Sequence, residues 1–115
     1  MALLFSYISV LPRLRSPQSI TLVAERSGTP AQAESRRPLD LRLDLSGANQ
    51  SEVRWLEIVD SQGTRLHSAA VSFSNGVVLY RTPPLPRGQA WIRLYAQPSP
   101  TADTPPLREY NLVVE

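Results

Sequence analysis

The stretch Leu85-Pro-Arg-Gly-Gln-Ala-Trp-Ile-Arg-Leu-Tyr95 joins a proline and glycine corner to a run of alternating residues. Because side chains of a β-strand point alternately to its two faces, Ile92 and Leu94 share one face. The other face carries the larger polar and aromatic side chains Trp91, Arg93 and Tyr95.

A shift of one residue would exchange these two faces completely. Burial of Ile92 and Leu94 gains about 1.5–3 kcal/mol each, whereas burial of Arg93 without a partner costs several kcal/mol. The sequence therefore predicts a strand with Ile92 and Leu94 in the core and with Trp91, Arg93 and Tyr95 directed outward.

Further segments of the chain also have the character of strands. The segment Leu39-Asp-Leu-Arg-Leu-Asp-Leu45 alternates strictly between leucine and charged residues, which predicts a half-buried strand. Val53 to Asp60 has apolar residues on both faces, as expected for a central strand, and Thr64 to Ala70 is poor in large apolar residues, as expected for an edge strand. Ile20 to Glu25 and Leu107 to Val114 are predicted as the first and last strands.

Turn signals separate these segments at short intervals. Asn75-Gly76 supplies the positive φ angles of a type I′ hairpin turn, and Asp60 to Gly63 suits a type I turn. The chain holds 11 prolines, which belong in loops and at sheet edges, and Gln97 to Pro106 is predicted as a loop. About seven strands without a helical period predict an all-β fold, a two-sheet antiparallel sandwich.

Composition restricts the class of function. A chain of 115 residues forms one domain, and its lack of cysteine excludes disulfides and cysteine-type zinc sites. All basic residues are arginine and the formal net charge is +2. The arginines are scattered, with only Arg36 and Arg37 adjacent, so no clustered basic face for nucleic acid is expected.

The first 18 residues differ from the remainder. Met1 to Leu11 is apolar, and Pro12, Arg13 and Arg15 follow it. About 11 residues are too few to span a bilayer, and the segment lacks the basic start and cleavage site of a signal peptide. It is therefore the outer end of a membrane helix, a signal-like relic or an edge strand. We divide the chain into an N-terminal segment with a linker, residues 1–18, and a sandwich domain, residues 19–115.

No pattern of residues indicates catalysis. His67 is the sole histidine, no Gly-x-Ser-x-Gly elbow occurs, and a surface position is expected for this side chain. Asp40 and Asp44 lie about 13 Å apart along one strand face with Arg42 between them, which predicts a solvated row of charges. We predict no enzyme and no catalytic, metal-binding or cofactor-binding residue.

The outward side chains Trp91, Arg93 and Tyr95 are the candidate partner-binding residues. Exposed aromatic rings beside an arginine can stack on sugars, peptides or a neighbouring domain. The alternative is that a second layer of the chain covers them, for which Met1 to Val10 is a candidate.

The order of the segments supports a resemblance to a known class. Leu85 to Gly88 before an aromatic strand is similar to the corner before strand F of immunoglobulin-like sandwiches. With Leu39 to Leu45, Trp55 to Gly63 and Glu109 to Val114, residues 19–115 resemble the extracytoplasmic, fibronectin type III-like domain of bacterial membrane-anchored zinc-finger anti-sigma factors and related regulators. The sigma-binding part of that family carries a His/Cys zinc motif, which this sequence lacks.

The resemblance implies a non-catalytic sensing or protein-interaction domain, periplasmic or otherwise extracytoplasmic, whose partner is a protein or an envelope ligand. Attachment to a membrane would use the N-terminal segment. Two alternatives stay open: an accessory module of a secreted or multidomain protein that binds carbohydrate or protein, and a structural assembly domain that uses an exposed edge strand.

Overall fold

The structure is a computed structural model that describes residues 16–23, 30–45, 53–101 and 103–115. The apolar segment Met1 to Leu11 lies outside the described residues. The described chain forms strands and no helix; the strands are β1 (Gln18–Leu22), β2 (Ala31–Ala33), β3 (Leu39–Asp44), β4 (Trp55–Asp60), β5 (Arg65–Ala70), β6 (Phe73–Ser74), β7 (Val77–Thr82), β8 (Gly88–Tyr95) and β9 (Arg108–Val114).

These strands form two sheets. Sheet A has the order β1-β3-β7-β6, and sheet B has the order β2-β9-β8-β4-β5. The prediction of an all-β, two-sheet sandwich is confirmed. The predicted count of about seven strands is too low, because the described residues contain two further short strands, β2 and β6.

The expectation of purely antiparallel sheets is wrong for two pairs of strands. β1 runs parallel to β3, and β2 runs parallel to β9. The N-terminal part of the chain thus contributes one edge strand to each sheet. Alternation of side chains is the same in parallel and antiparallel strands, so the sequence pattern could not reveal these directions.

The first strand begins at Gln18, earlier than the predicted start at Ile20. The amide of Gln18 is 8% exposed. Its Nε2 donates to the carbonyl of Glu34 at 2.8 Å, and its Oε1 accepts from the Glu34 N–H at 2.9 Å. These two bonds satisfy a buried polar side chain and fix the edge of sheet A against the segment that follows β2.

The core lies between the inner faces of the two sheets. All four leucines of the alternating segment, Leu39, Leu41, Leu43 and Leu45, are at most 1% exposed, which confirms the predicted inner face of β3. Sheet B contributes the fully buried side chains Leu56, Ile58, Ile92, Leu94 and Leu112. Tyr110 joins the two layers, because its hydroxyl donates to the carbonyl of Asp44 at 2.6 Å.

Both predicted turns are present. Asn75 and Gly76 have φ angles of 53° and 78°, as a type I′ turn requires, and they join β6 to β7. At the turn after β4, the Gly63 N–H donates to the Asp60 carbonyl at 3.0 Å. The Asp60 carboxylate accepts from the N–H groups of Gln62 and Thr64, each at 2.9 Å, so Asp60 is a structural turn residue.

Candidate functional site

The strand β8 carries the predicted binding residues. Ile92 and Leu94 are fully buried, which confirms the predicted inner face. On the outer face Trp91 and Arg93 are half-buried, but Tyr95 is only 4% exposed. The prediction that Tyr95 is an exposed stacking ring is therefore wrong.

Residues of the chain after β8 line a groove together with Tyr95 on the outer face of sheet B. Pro100, Thr104 and Pro106, all from the predicted proline-rich loop, face Tyr95 across a common groove. In β4, Trp55 is directly opposite Tyr95, and its indole Nε1 is buried without an acceptor among the described residues. Residues of the loop 97–106, predicted only as a connection, thus take part in the lining of this face.

The space between this loop and sheet B is a groove of about 660 Å³, called here the sheet-B groove. Its floor is formed by outward side chains of β4, β8 and β9, namely Glu57, Arg93, Tyr95 and Glu109. Its wall is formed by Pro100, Thr101, Thr104, Pro105 and Pro106. Arg93 and Tyr95 thus line one site, whereas Trp91 does not.

Charges alternate across the floor of the groove. Arg93 lies opposite Glu57 of β4 and opposite Glu109 of β9. Arg93 Nε donates to Glu109 Oε2 at 2.6 Å, and Arg65 Nε lies 3.0 Å from Glu57 Oε2. Glu57 is only 8% exposed, so its charge requires these neighbouring arginines.

The environment of the groove shifts the protonation equilibria of two floor residues. The hydrogen bond to Glu109 raises the pKa of Arg93 above its ordinary value. Burial raises the pKa of Tyr95, and the nearby Glu57 charge adds to this effect. Both side chains therefore keep their ordinary protonated forms at neutral pH, and the floor presents a cation between two carboxylates.

Trp91 is on the same face of β8 as Arg93, two residues earlier, and does not line the groove. It is opposite Val59 of β4 and Asn111 of β9, and Val59 is 3% exposed. The three predicted residues therefore do not form one exposed stripe. Arg93 is the member that combines partial exposure with a place in the groove.

Sequence analysis missed Glu57, Arg65 and Glu109 as members of the site. They are brought together by the pairing of four strands, β5-β4-β8-β9, in which the β4–β5 hairpin is separated in the sequence from β8 and β9 by β6 and β7. The local signal was present in Glu57, a charged residue between the apolar pairs Trp55-Leu56 and Ile58-Val59.

The row of charges on β3 is arranged differently from the expectation. Asp40 is paired with Arg81 of β7, with Nε–Oδ1 and Nη2–Oδ2 distances of 2.6 and 2.9 Å. This bidentate contact lowers the pKa of Asp40 below its ordinary value. Asp40 is thus held as a carboxylate by a residue that sequence spacing alone did not connect with it.

His67 lies at the open side of the sandwich, between the two sheets. It is half-buried, and its Nε2 is 2.5 Å from the hydroxyl of Tyr80 in β7. The expectation of a surface histidine is therefore corrected: the side chain links β5 of sheet B to β7 of sheet A.

We expect Tyr80→Phe to lower the free energy of unfolding by about 0.5–1.5 kcal/mol, because the variant loses one inter-sheet hydrogen bond. Urea denaturation at pH 7 measures this change. The matched replacement Phe73→Leu, which removes no hydroxyl, controls for general disturbance of the ring packing at this edge. A midpoint identical to that of the wild type would contradict the assigned bond.

The described residues also lack two features, a metal-binding cluster and a membrane-spanning helix. They contain no group of three or more histidine, cysteine, aspartate or glutamate side chains arranged to hold a metal ion. They also contain no helix that is long and apolar enough to cross a membrane.

Comparison with known proteins adds a likeness of fold. No protein family model and no curated protein matches the sequence. Among solved structures, the chain is similar to auracyanin A, a "blue" copper protein from the green thermophilic photosynthetic bacterium Chloroflexus aurantiacus. The TM-score is 0.51 at 12% identity, and the match covers 86% of this chain and 99% of the other.

The residues of this chain do not fit a blue copper centre. Such a centre uses two histidines and a cysteine with a weak axial ligand that is often methionine. This sequence has one histidine, His67, no cysteine and one methionine, Met1. The likeness to auracyanin A therefore concerns the fold alone, a β-sandwich of two sheets.

Proposed function

We propose that this chain is a non-catalytic protein-interaction domain that binds an extended polypeptide segment in the sheet-B groove. The observation that carries the proposal is the groove itself, about 660 Å³ in volume, with Arg93 between two carboxylates on its floor. An extended peptide offers backbone donors and acceptors together with side chains of either charge, which suits a floor of alternating sign.

Two features of the groove support binding rather than catalysis. Both glutamates of the floor are engaged in ion pairs, Glu109 with Arg93 at 2.6 Å and Glu57 with Arg65 at 3.0 Å. The one histidine of the chain is on another part of the molecule, where it bonds to Tyr80. The groove therefore offers positioned charges without a paired nucleophile and base.

As a biological setting, we propose the extracytoplasmic sensing half of a membrane-anchored bacterial regulator, similar to the outer domain of anti-sigma factors. The support is the resemblance of the sequence together with the two-sheet sandwich. The finer immunoglobulin-like assignment is supported by the buried corner residue Leu85, 3% exposed. The parallel pairs β1–β3 and β2–β9 are not explained by that assignment.

The binding proposal can be tested by nuclear magnetic resonance on the isotope-labelled full chain. The probes are ten-residue synthetic peptides of acidic, basic and neutral composition. We expect saturable shifts of the amide signals of Arg93, Tyr95, Thr101 and Thr104 with at least one class of peptide. Arg93→Gln is expected to weaken that binding about tenfold, equivalent to the loss of one charge-assisted hydrogen bond.

Arg81→Gln is the matched control, because Arg81 is also paired with one carboxylate at 2.6 Å but lies on sheet A. Equal affinities of the two variants, or no saturable shift with any peptide, would contradict binding in the groove.

The second candidate, an accessory carbohydrate-binding module, is supported by the partial exposure of Trp91. It requires saturable binding of oligosaccharides that is lost in Trp91→Ala.

Localisation is tested separately, with the gene expressed together with its native flanking sequence. Accessibility of the domain to protease in intact spheroplasts, and its retention in the membrane pellet after a carbonate wash, are the results that we expect. Protection from protease would contradict the extracytoplasmic proposal and would leave the groove experiment unaffected.

A further inference from the structure

We propose that two copies of this chain associate through β5, forming a continuous sheet across a two-fold axis. The two sides of the sandwich differ in the strands that form the edges of the sheets. On one side, the N-terminal chain provides β1 to sheet A and β2 to sheet B. On the other side, sheet A ends in the two-residue strand β6 and sheet B ends in the six-residue strand β5.

The backbone of β5 has hydrogen-bonding groups directed away from its partner. The Val71 N–H donates to the Arg54 carbonyl at 3.0 Å, and in an antiparallel pair such bonds occur at every second residue. Ser68 and Ala70 fall on the intervening positions, so their N–H and carbonyl groups point to the free edge. No further strand pairs with this edge among the described residues.

Residues that commonly protect an edge strand are scarce in β5. Its sequence Arg-Leu-His-Ser-Ala-Ala has no proline and no lysine, and its one charged residue, Arg65, is at the end. Unprotected strand edges are templates for pairing with another chain. The pairing of this strand has one irregularity, a shift of register between the Ile58–His67 and Val59–Arg65 pairs, so His67 to Ala70 form the regular part of the edge.

The second strand that fits best is β5 of another copy. An axis through Ser68 places Ser68 opposite its own copy and Ala69 opposite His67, all within the regular part of β5. The free backbone groups of Ser68 then meet the same groups of the other copy, as an antiparallel pair requires. Arg65 lies at the end of β5, beyond the shift of register and away from the axis, so no like charges oppose each other at the axis.

This association has a consequence for the groove. Arg65 and Glu57 belong to the floor and margin of the sheet-B groove and lie in the two strands closest to this edge. Pairing through β5 would therefore place two grooves on the same face of one extended sheet. A ligand with two binding segments would gain from the high effective concentration of the second groove.

Sedimentation equilibrium of the full chain tests the association. The concentrations run from about 10 μM to 1 mM, because one pair of short strands makes an interface well below about 1,200 Å², and interfaces of that size bind weakly. We expect a reversible monomer–dimer equilibrium. Ser68→Lys is expected to raise the dissociation constant at least about fivefold, because two like charges oppose each other at the axis. Ser74→Lys, the same change on β6, is the control and should leave the constant unchanged.

Cross-linking tests the register independently, because the chain has no native cysteine. In Ser68→Cys the two directly opposed Cα atoms are about 5.5 Å apart, within disulfide range. In the control Ala70→Cys the equivalent atoms are separated by about 13 Å along the strands. Rapid oxidation to a covalent dimer is expected for the first variant alone.

Two results would overturn the proposal. One is a monomer at every concentration together with equal, slow oxidation of both cysteine variants. The other is self-association that Ser68→Lys does not weaken, which would place the interface elsewhere. Circular dichroism of each variant confirms that its strands are retained, so that loss of association is not mistaken for loss of fold.

Discussion

Leu94→Ala is expected to lower the free energy of unfolding by about 2–5 kcal/mol. Leu94 is fully buried on the inner face of β8 and lies opposite Leu56 of β4. Removal of its three outer carbons leaves a cavity between tightly packed strands, and the surrounding leucines cannot fill the space without distorting the sandwich. Equilibrium denaturation in urea measures the change.

The chain offers a matched control for this substitution. Leu79 is also a leucine in a central strand, but it is on the outer face of sheet A and is 63% exposed. Leu79→Ala should change the free energy of unfolding by at most about 0.5 kcal/mol. A small effect at Leu94 and a large one at Leu79 would mean that the faces of the strands have been assigned the wrong way round.

The faces of these strands could be predicted because local sequence determines them. In β3 and β8, alternation with a period of two separates leucine and isoleucine from charged residues, and an unpaired arginine in the core would be costly. The hairpin at Asn75-Gly76 was equally predictable, since its positive φ angles restrict the residues that fit. Each of these features depends on neighbours in the sequence.

The features that were not predicted depend on contacts between distant segments. The parallel pairing of β1 with β3 leaves no trace in the alternation of either strand. The groove beside Tyr95 depends on where Pro100, Thr104 and Pro106 lie relative to sheet B, and the pairing of Arg93 with Glu109 depends on the register of β8 against β9. The sequence thus predicted Arg93 as a candidate binding residue but did not predict which residues form the groove around it.

Tyr110→Phe is expected to lower the free energy of unfolding at pH 8 by about 1–2 kcal/mol, because the carbonyl of Asp44 loses its buried donor. Tyr110 is 2% exposed, and its hydroxyl bond to Asp44 is the link between β9 and the end of β3. Phenylalanine fills nearly the same volume, so the change reports the hydrogen bond rather than a cavity.

The same variant has a distinctive dependence on pH. Burial raises the pKa of Tyr110 to about 12, whereas an unfolded tyrosine titrates near pH 10. Below pH 10 both states hold the proton and the stabilisation is fully present. Between pH 10 and 12 the unfolded state releases its proton first, so wild-type stability falls by about 1.4 kcal/mol per pH unit through this group.

Tyr110→Phe lacks this contribution, so the stability advantage of the wild type should be constant from pH 7 to 9 and should shrink above pH 10. Tyr95, whose pKa is also raised, is present in both proteins and cancels in the comparison. Spectrophotometric titration should show that the phenol removed by the substitution is one that ionises late in the folded wild type. Parallel stability curves up to pH 11.5 would contradict the raised pKa that burial gives Tyr110 and would require that Tyr110 ionise as readily in the folded chain as in the unfolded one.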